Sequence, residues 1–190
     1  MDTRGLAIVA IFTALAVSSD FALADLPNVK LVDAIVFSAA FVFGLETGLY
    51  VGVLSELIWG FLSPYGFGGY IIPFLVAGEC LFALAGWGAS KAWADDTEGQ
   101  PPRIGTRNLY FGAVLALCAF AWDLETNLGT AMIVYWPSLT ISRLLATEAA
   151  GIPFMFSHEV SDLVGGALVS PFMIFYASRN AKTKPILPGT

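Results

Sequence analysis

Six long apolar segments, separated by short breaks, constrain this chain more than any other feature of its sequence. They cover residues 6–26, 31–43, 48–62, 70–93, 109–136 and 154–177. A helix that spans a membrane needs about 20 predominantly apolar residues. Hydrophobic residues form 57% of the 190-residue chain and charged residues only 13%, whereas soluble domains carry about 25% charged residues. The sequence therefore predicts an all-α protein, a single integral membrane domain over residues 1–190 built as a six-transmembrane-helix bundle.

Residues that disfavour helices mark the breaks. They are Pro27-Asn28, the turn 44–48, the glycine-rich stretch 63–69 and the polar linker 95–103. The stretch 137–153 carries Arg143 and Glu148, and we expect it to be an interfacial or re-entrant segment. The first apolar segment continues past any cleavage site, which favours a retained helix over the alternative of a cleaved signal peptide.

Basic residues are distributed unequally between the two sides that six spans create. Seven of the nine lie on the side that holds both termini, namely Arg4, Lys91, Arg103, Arg107, Arg179, Lys182 and Lys184. Only Lys30 and Arg143 lie on the opposite side. Because short cytoplasmic segments carry the excess of lysine and arginine, we expect both termini to be cytoplasmic. The predicted location is the cell membrane, with multiple crossings.

Several function classes find no support in the sequence. The net charge of −6 and the lack of a basic patch disfavour nucleic acid as a partner. No P-loop, GxSxG, HExxH or CxxC pattern is present, so we expect neither an enzyme nor catalytic residues, and no cofactor. Cys80 and Cys118 lie inside apolar runs, where they resemble small buried hydrophobic residues.

Ionisable residues inside the apolar segments are the strongest indication of function. Each costs about 2.5 kcal/mol or more in a bilayer. At a rise of about 1.5 Å per residue, Glu56 lies about 9 Å below the outer end of its helix and Glu79 about 13 Å below. The same count gives about 13 Å for Asn127 and Asp162 and about 6 Å for His158. Polar groups from four helices thus share one level, which predicts a ligand pocket in the outer half of the bundle.

Helical spacing refines this pocket. Side chains three or four residues apart share a helix face, as do Glu56 with Trp59, Asp123 with Asn127, and His158 with Asp162. The loop around Tyr65 has the glycines and aromatic residues of a lid. The predicted substrate-binding residues are Glu56, Trp59, Tyr65, Glu79, Asp123, Asn127, His158 and Asp162. Simpler interpretations are packing for each tryptophan, a protonated glutamate bonded to a neighbouring helix, and a helix cap for His158.

The remaining acids and the sign of the pocket charge complete the prediction. We expect Asp20, Asp25 and Asp33 to be mostly interfacial and Glu46 to be solvated. The predicted pocket then holds carboxylates and one histidine but no lysine or arginine, which favours a cationic or neutral ligand. Aromatic neighbours suit a flat ring or an organic cation. The single histidine, without cysteine or methionine beside it, predicts no dedicated metal site.

Several stretches resemble the substrate-binding S components of energy-coupling factor (ECF) vitamin transporters. The first helix carries Ala10-Ile11-Phe12-Thr13-Ala14, similar to the AxxxA motif of that family. Residues 26–33 and 43–52 are similar to its first outer loop and its glycine-rich hairpin. Residues 64–79 look like its third loop and fourth helix.

The resemblance implies a division of labour among subunits. ATP would be hydrolysed by separate ATPase subunits, and Ala10 and Ala14 would face the transmembrane T component. The ligand would be captured beneath the first and third outer loops. Thiamin-binding members of the family use an acidic and aromatic pocket, so thiamin or a precursor is the first expectation for the substrate.

Two other functions remain open from the sequence. The chain is alternatively a self-sufficient permease or cation channel, in which the carboxylates relay protons or metal ions. It is alternatively an accessory structural subunit of a membrane complex, whose acids pair with a partner. An intramembrane enzyme is the least favoured, because no nucleophile–base spacing is visible.

Overall fold

The computed structural model describes residues 1–93 and 104–182, with side chains described up to Arg179, and its regular structure there is entirely helical. The linker 95–103 and Lys184 lie outside these residues. The helices are α1 (Thr3–Leu23), α2 (Val32–Phe43), α3 (Leu45–Leu62), α4 (Ile72–Trp93), α5 (Thr106–Tyr135), α6 (Ile141–Val164), a π-helical turn (Gly165–Val169) and α7 (Ser170–Lys182). The predicted all-α class is therefore confirmed.

Five of the helical segments are long and apolar enough to cross a membrane. They are Thr3–Leu23, Leu45–Leu62, Ile72–Trp93, Thr106–Tyr135 and Ile141–Arg179, and Val32–Phe43 is a sixth, shorter apolar helix. These lengths and compositions are those of a multi-pass membrane protein. Charged residues are scarce on their outer faces, where large apolar side chains such as Leu117, Phe156 and Phe172 are exposed.

The last helical segment is continuous from Ile141 to Lys182. At about 1.5 Å per residue it is about 60 Å long, roughly twice the thickness of the hydrocarbon core of a bilayer. The stretch 137–153, expected as interfacial or re-entrant, is helical from Ile141 onwards and leads directly into the sixth apolar segment. The Thr140 side chain accepts a hydrogen bond from the Arg143 N–H and so caps its start.

A π-helical turn interrupts this helix. It begins directly after Val164, two residues beyond Asp162. The N–H of Ser170 donates to the carbonyl of Gly165, five residues earlier. Such turns insert one extra residue into an α-helix and occur frequently at functional sites. Here the turn packs against both α5 and α2.

Helix α2 lies at the centre of the bundle. All its residues from Val32 to Phe41 are buried, and it packs against α1, α3, α4 and α7. Alanines allow neighbouring helices to approach closely, and Gly86 of α4 lies so near the Phe37 carbonyl that a Cβ would overlap it. At Gly44 the backbone has φ of +93°. This glycine is the single residue between the end of α2 and the start of α3.

The packing around α2 includes an aromatic core. The ring of Phe111 on α5 lies edge-on to Phe37 and Phe41, with centroids 5.1 and 5.6 Å apart. Phe37 and Phe111 are fully buried. Edge-to-face aromatic pairs and filled volume stabilise this part of the bundle. We call Phe37, Phe41 and Phe111 the aromatic core.

Helices α5 and α6 cross closely because glycines remove side chains at the contact. A Cβ at Gly112 would meet the Leu163 carbonyl, and one at Gly166 would meet the Phe111 carbonyl. This crossing sets the register between the two helices. It brings Asp123 of α5 opposite His158 of α6.

Two loops meet near the start of α2. The Tyr65 hydroxyl, in the loop between α3 and α4, donates a hydrogen bond to the Ala24 carbonyl in the loop between α1 and α2. The Tyr65 ring also contacts the Trp59 ring edge-on, with centroids 6.1 Å apart. We call the region beneath these loops the loop end of the molecule.

Candidate ligand-binding site

His158 stands at the centre of a buried polar cluster at the loop end. Its Nδ1 lies 3.1 Å from Oδ2 of Asp123, and its Nε2 lies 3.1 Å from Oδ2 of Asp33. Oδ2 of Asp162, one helical turn along α6, is 3.8 Å from the same Nε2. All four residues are buried. The structure therefore brings together three predicted site residues, Asp123, His158 and Asp162.

Asp33 and Asp20 do not lie at the interface, where the sequence analysis placed them. Asp33 is fully buried, because α2 begins inside the bundle and the loop before it folds over its first turn. Asp20 is buried on the inner face of α1. Asp25 and Glu46, in contrast, are exposed. The prediction was therefore wrong for Asp20, in the last turn of α1, and for Asp33, in the first turn of α2, because the bundle encloses both side chains.

Several buried carboxylate oxygens have no hydrogen-bond partner among the described residues. They are Asp20 Oδ1, Asp33 Oδ1, Glu56 Oε2 and both oxygens of Glu79 and Asp162. The Glu79 carboxyl lies near that of Asp33. Burying an unpaired carboxylate is costly. The cluster therefore has an unfilled capacity for protons or cations.

The position of Lys30 contradicts a second expectation, that the pocket contains no lysine. Its Nζ is 3.5 Å from the centroid of the Trp122 ring, a cation–π contact. Its backbone N–H donates to the Ser161 hydroxyl, which holds the loop against α6. Burial opposes the charge of Lys30, but carboxyls led by Asp33 and Glu56 outweigh it, so the pKa of Lys30 lies above its ordinary value of 10.5. The site thus contains a permanent cation among its acids.

The Trp122 ring forms one side of the site and packs against residues of α4 and α6. Its ring meets the His158 ring edge-on, with centroids 5.2 Å apart, and its indole N–H donates to the Leu75 carbonyl over 3.3 Å. Gly78 of α4 lies directly against the indole, where a Cβ would overlap it. The position of the ring is therefore fixed by α4 and α6 together.

A cavity of about 150 Å³ opens between α1, α3 and the first loop, and we call it the α1–α3 cavity. Its charged and aromatic lining consists of Asp20, Lys30, Glu56, Trp59, Tyr65 and Trp122. Three of these residues, Glu56, Trp59 and Tyr65, were predicted from the sequence. Opposite charges and aromatic surfaces therefore face one small volume.

A second cavity of about 420 Å³, the α5–α6 cavity, also borders Trp122 and Tyr65. Asp123 and Asn127 line it, together with apolar residues such as Phe154 and Met155. The Asn127 amide donates to Oε2 of Glu148 over 3.0 Å. Because both cavities share Asn28, Tyr65 and Trp122, they adjoin beneath the same loops.

Asn28 joins the first loop to the polar cluster. Its side-chain amide donates to Oδ1 of Asp123 over 3.3 Å and to the Phe154 carbonyl over 3.1 Å. Asn28 has a positive φ of 55°, a conformation that asparagine tolerates better than most residues. Both oxygens of Asp123 therefore receive hydrogen bonds, one from Asn28 and one from His158.

The eight predicted residues thus lie around one region, in the cluster or along the two cavities. Their role in binding remains a prediction. The sequence analysis missed Asp20, Lys30, Asp33 and Trp122. For the two aspartates a signal was available, since each lies within a predicted apolar segment. Ala10 and Ala14, predicted to dock a partner, are exposed on α1.

Comparison of the chain with protein-family models, curated proteins and solved structures gives no match.

Proposed function

We propose that this chain is the membrane-embedded substrate-binding subunit of an ECF-type importer, which captures a small cationic or neutral aromatic molecule. One observation carries the proposal: two adjoining cavities, lined by carboxylates and aromatic rings, lie beneath two loops that are bonded to each other. Ligand pockets are concave, mainly apolar and carry a few convergent polar groups. A bundle built only to support other subunits has no use for such a volume.

The lining favours a particular class of ligand. Asp20 and Glu56 place two carboxyls at the α1–α3 cavity against the single ammonium group of Lys30. Trp59 and Trp122 offer ring faces to a flat or positively charged group. The small volumes fit a vitamin-sized molecule better than a peptide. Thiamin or a precursor, with a cationic ring beside a pyrimidine, remains the first hypothesis.

Lys30 adds a condition that the sequence analysis did not include. Its ammonium group already lies over Trp122, where a cationic ring would otherwise stack. A cation that uses this ring face must displace Lys30, and the first loop would move with it. A ligand with a hydrogen-bond acceptor gains from Lys30 instead. Neutral aromatic molecules with such acceptors therefore belong to the proposed class.

The proposed partners are the transmembrane T component and separate ATPase subunits. Ala10 and Ala14 lie on an exposed face of α1, where small side chains permit another helix to approach closely. Transport would then depend on these subunits, whereas binding would not. Cytoplasmic termini and a cavity that opens outwards belong to the same proposal.

A proton- or cation-coupled permease is the second candidate, and one observation favours it. Asp33, His158 and Asp123 form a continuous hydrogen-bonded series inside the bundle. Such series of ionisable groups relay protons in membrane transporters. Flux into liposomes that contain only this chain, dependent on pH, would support the permease and count against the binding subunit.

The experiment that tests the proposal is a binding measurement on the purified chain. Native mass spectrometry should show a co-purifying organic molecule, and titration calorimetry should show that thiamin or its pyrimidine binds without partner subunits. The Glu56→Gln variant should bind a cationic ligand at least tenfold more weakly, because it loses a charge that lines the cavity. Glu125→Gln is the matched control, since Glu125 lies on α5 outside both cavities.

The outcomes separate the candidates. No bound molecule and no affinity for any vitamin-like compound would leave the accessory structural subunit as the better interpretation. Equal affinities of the Glu56→Gln and Glu125→Gln variants would remove the α1–α3 cavity from the site.

A further inference from the structure

Asp33, His158 and Asp162 bring three metal-binding groups to one buried point. One ligand atom of each lies within 4.8 Å of the other two. Nε2 of His158 is 3.1 Å from Oδ2 of Asp33 and 3.8 Å from Oδ2 of Asp162. Around an ion with bonds of about 2.1 Å, neighbouring ligand atoms are about 3.0 to 3.4 Å apart. The Asp33 distance fits this range, and the Asp162 side chain has to move towards Nε2 to complete the geometry.

The environment of His158 is that of a metal ligand. When a histidine binds a metal through one ring nitrogen, the other usually donates its hydrogen to a carboxylate or carbonyl. Here Oδ2 of Asp123 lies 3.1 Å from Nδ1. With the hydrogen on Nδ1, the lone pair of Nε2 points at Asp33 and Asp162. Asn28 in turn bonds the other oxygen of Asp123, so the acid that orients the ring is itself held.

The distribution of hydrogen-bond partners separates this orienting acid from the two acids on the other side of the ring. Both oxygens of Asp123 are bonded. In contrast, Oδ1 of Asp33 and both oxygens of Asp162 have no partner within residues 1–93 and 104–182, although both side chains are fully buried. The Lys30 ammonium group lies over Trp122 and bonds neither of these oxygens. Asp162 Oδ2, which is 3.8 Å from Nε2, and Asp33 Oδ1 are thus buried oxygens whose missing partner a cation would supply.

We propose that Asp33, His158 and Asp162 form a binding site for one divalent transition-metal ion, and that Asp123 positions the His158 ring. Nitrogen and oxygen donors without thiolate or thioether favour ions such as Mn²⁺, Co²⁺ and Zn²⁺ over Cu⁺. The sequence analysis expected no metal site, because it found a single histidine without cysteine or methionine beside it.

The proposal does not depend on the organic ligand proposed above. None of the three side chains lines either of the two cavities. Metal and organic ligand are therefore measured separately on the same protein.

The test uses the full chain, purified without a histidine tag and stripped of metal with a chelator. We expect titration with Zn²⁺ or Mn²⁺ alone to load one ion per chain, counted by elemental analysis after gel filtration. Co²⁺ should give the visible absorption bands of a site with mixed nitrogen and oxygen ligands. Wild-type protein that holds no stoichiometric ion would overturn the proposal.

Variants locate the ion within the chain. Asp162→Asn keeps the size of the side chain but removes a ligand charge, and should weaken Zn²⁺ binding at least tenfold. Asp123→Asn should weaken it by about 10- to 100-fold, as loss of a positioning partner does, and should shift the Co²⁺ spectrum without abolishing it. Asp25→Asn is the control, because Asp25 is exposed.

Three results decide the outcome. Equal Zn²⁺ affinity of Asp162→Asn and Asp25→Asn would overturn the assignment, and Asp33→Asn supplies the same comparison if Asp162→Asn does not fold. Thiamin titration of the chelator-treated protein tests the organic site alone. Metal binding without thiamin binding would support this site and count against the proposed importer function, and the reverse result would do the opposite.

Discussion

The loop end and the aromatic core are equally buried, but the loop end is built from ionisable side chains and the aromatic core from apolar rings. Phe37 and Phe111 in the aromatic core are fully buried, and so are Glu79, His158 and Asp162 at the loop end. The aromatic rings fill space against one another. The loop-end acids leave several oxygens without a partner among the residues that the structure describes.

The difference shows that burial alone does not identify what a residue contributes. Packed rings add to the free energy of unfolding, because their contacts are lost when the helices separate. Unbonded carboxylates reduce it, since each has given up water without a replacement. The aromatic core therefore stabilises the bundle, whereas the loop end retains carboxylates that are costly to bury. Such a combination is typical of a protein with a binding site.

The largest expected effect tests the aromatic core. Phe111→Ala should lower the free energy of unfolding by about 3 kcal/mol, because it leaves a cavity between α2 and α5. Phe120→Ala, on the same helix but 46% exposed, is the control and should change it little. Unfolding in mixed detergent micelles measures both. Equal losses for the two variants would contradict the distinction between core and lipid-facing side chains.

The next effect concerns the contact that positions Trp122. Gly78→Ala should destabilise the protein by about 1 to 3 kcal/mol, since the new methyl group overlaps the indole ring. Gly88→Ala on the same helix has open space around it and should stabilise by up to about 1 kcal/mol through helix propensity. Tryptophan fluorescence and thermal unfolding report the two changes. A stable Gly78→Ala variant with native fluorescence would show that the ring is not held by α4.

A smaller effect on stability should accompany a clear effect on binding at Glu79. Glu79→Gln should leave the free energy of unfolding within about 1 kcal/mol of wild type, because the lost carboxylate had no donor. It should weaken binding of a cationic ligand about tenfold, or about 1.4 kcal/mol. Glu46→Gln, at an exposed position, is the control. A strongly destabilised Glu79→Gln variant would mean that this carboxyl is structurally paired.

The smallest expected effect lies in the bond between the two loops. Tyr65→Phe removes the hydroxyl that donates to the Ala24 carbonyl, and one exposed hydrogen bond contributes about 0.5 to 1.5 kcal/mol. The organic ligand should therefore dissociate a few-fold faster, and the free energy of unfolding should fall by no more than this amount. Stopped-flow release measures the rate. An unchanged rate would remove Tyr65 from the closure of the cavity.

The sequence predicted the helical class well, because long apolar runs have few alternatives in a membrane protein. It also predicted that Asp123, His158 and Asp162 meet, since spacing along α5 and α6 set their faces and depths. It failed for Asp33, which was assigned to the interface, and for Lys30, which was left out of the pocket. Their burial depends on how the loop 24–31 folds over α2, a tertiary contact that helical periodicity does not encode.

The extra residue in the π-helical turn has a mechanical consequence. It shifts everything after Val169 by one position relative to the residues before Gly165, about 100° around the helix axis. His158 and Asp162 precede this offset, whereas Ser170 and Ile174, which face α2, follow it. If a bound ligand pulled Asp162 towards itself and the π-helical turn became regular α-helix, α7 would rotate about its own axis. The length of the helix would change by no more than about one residue's rise.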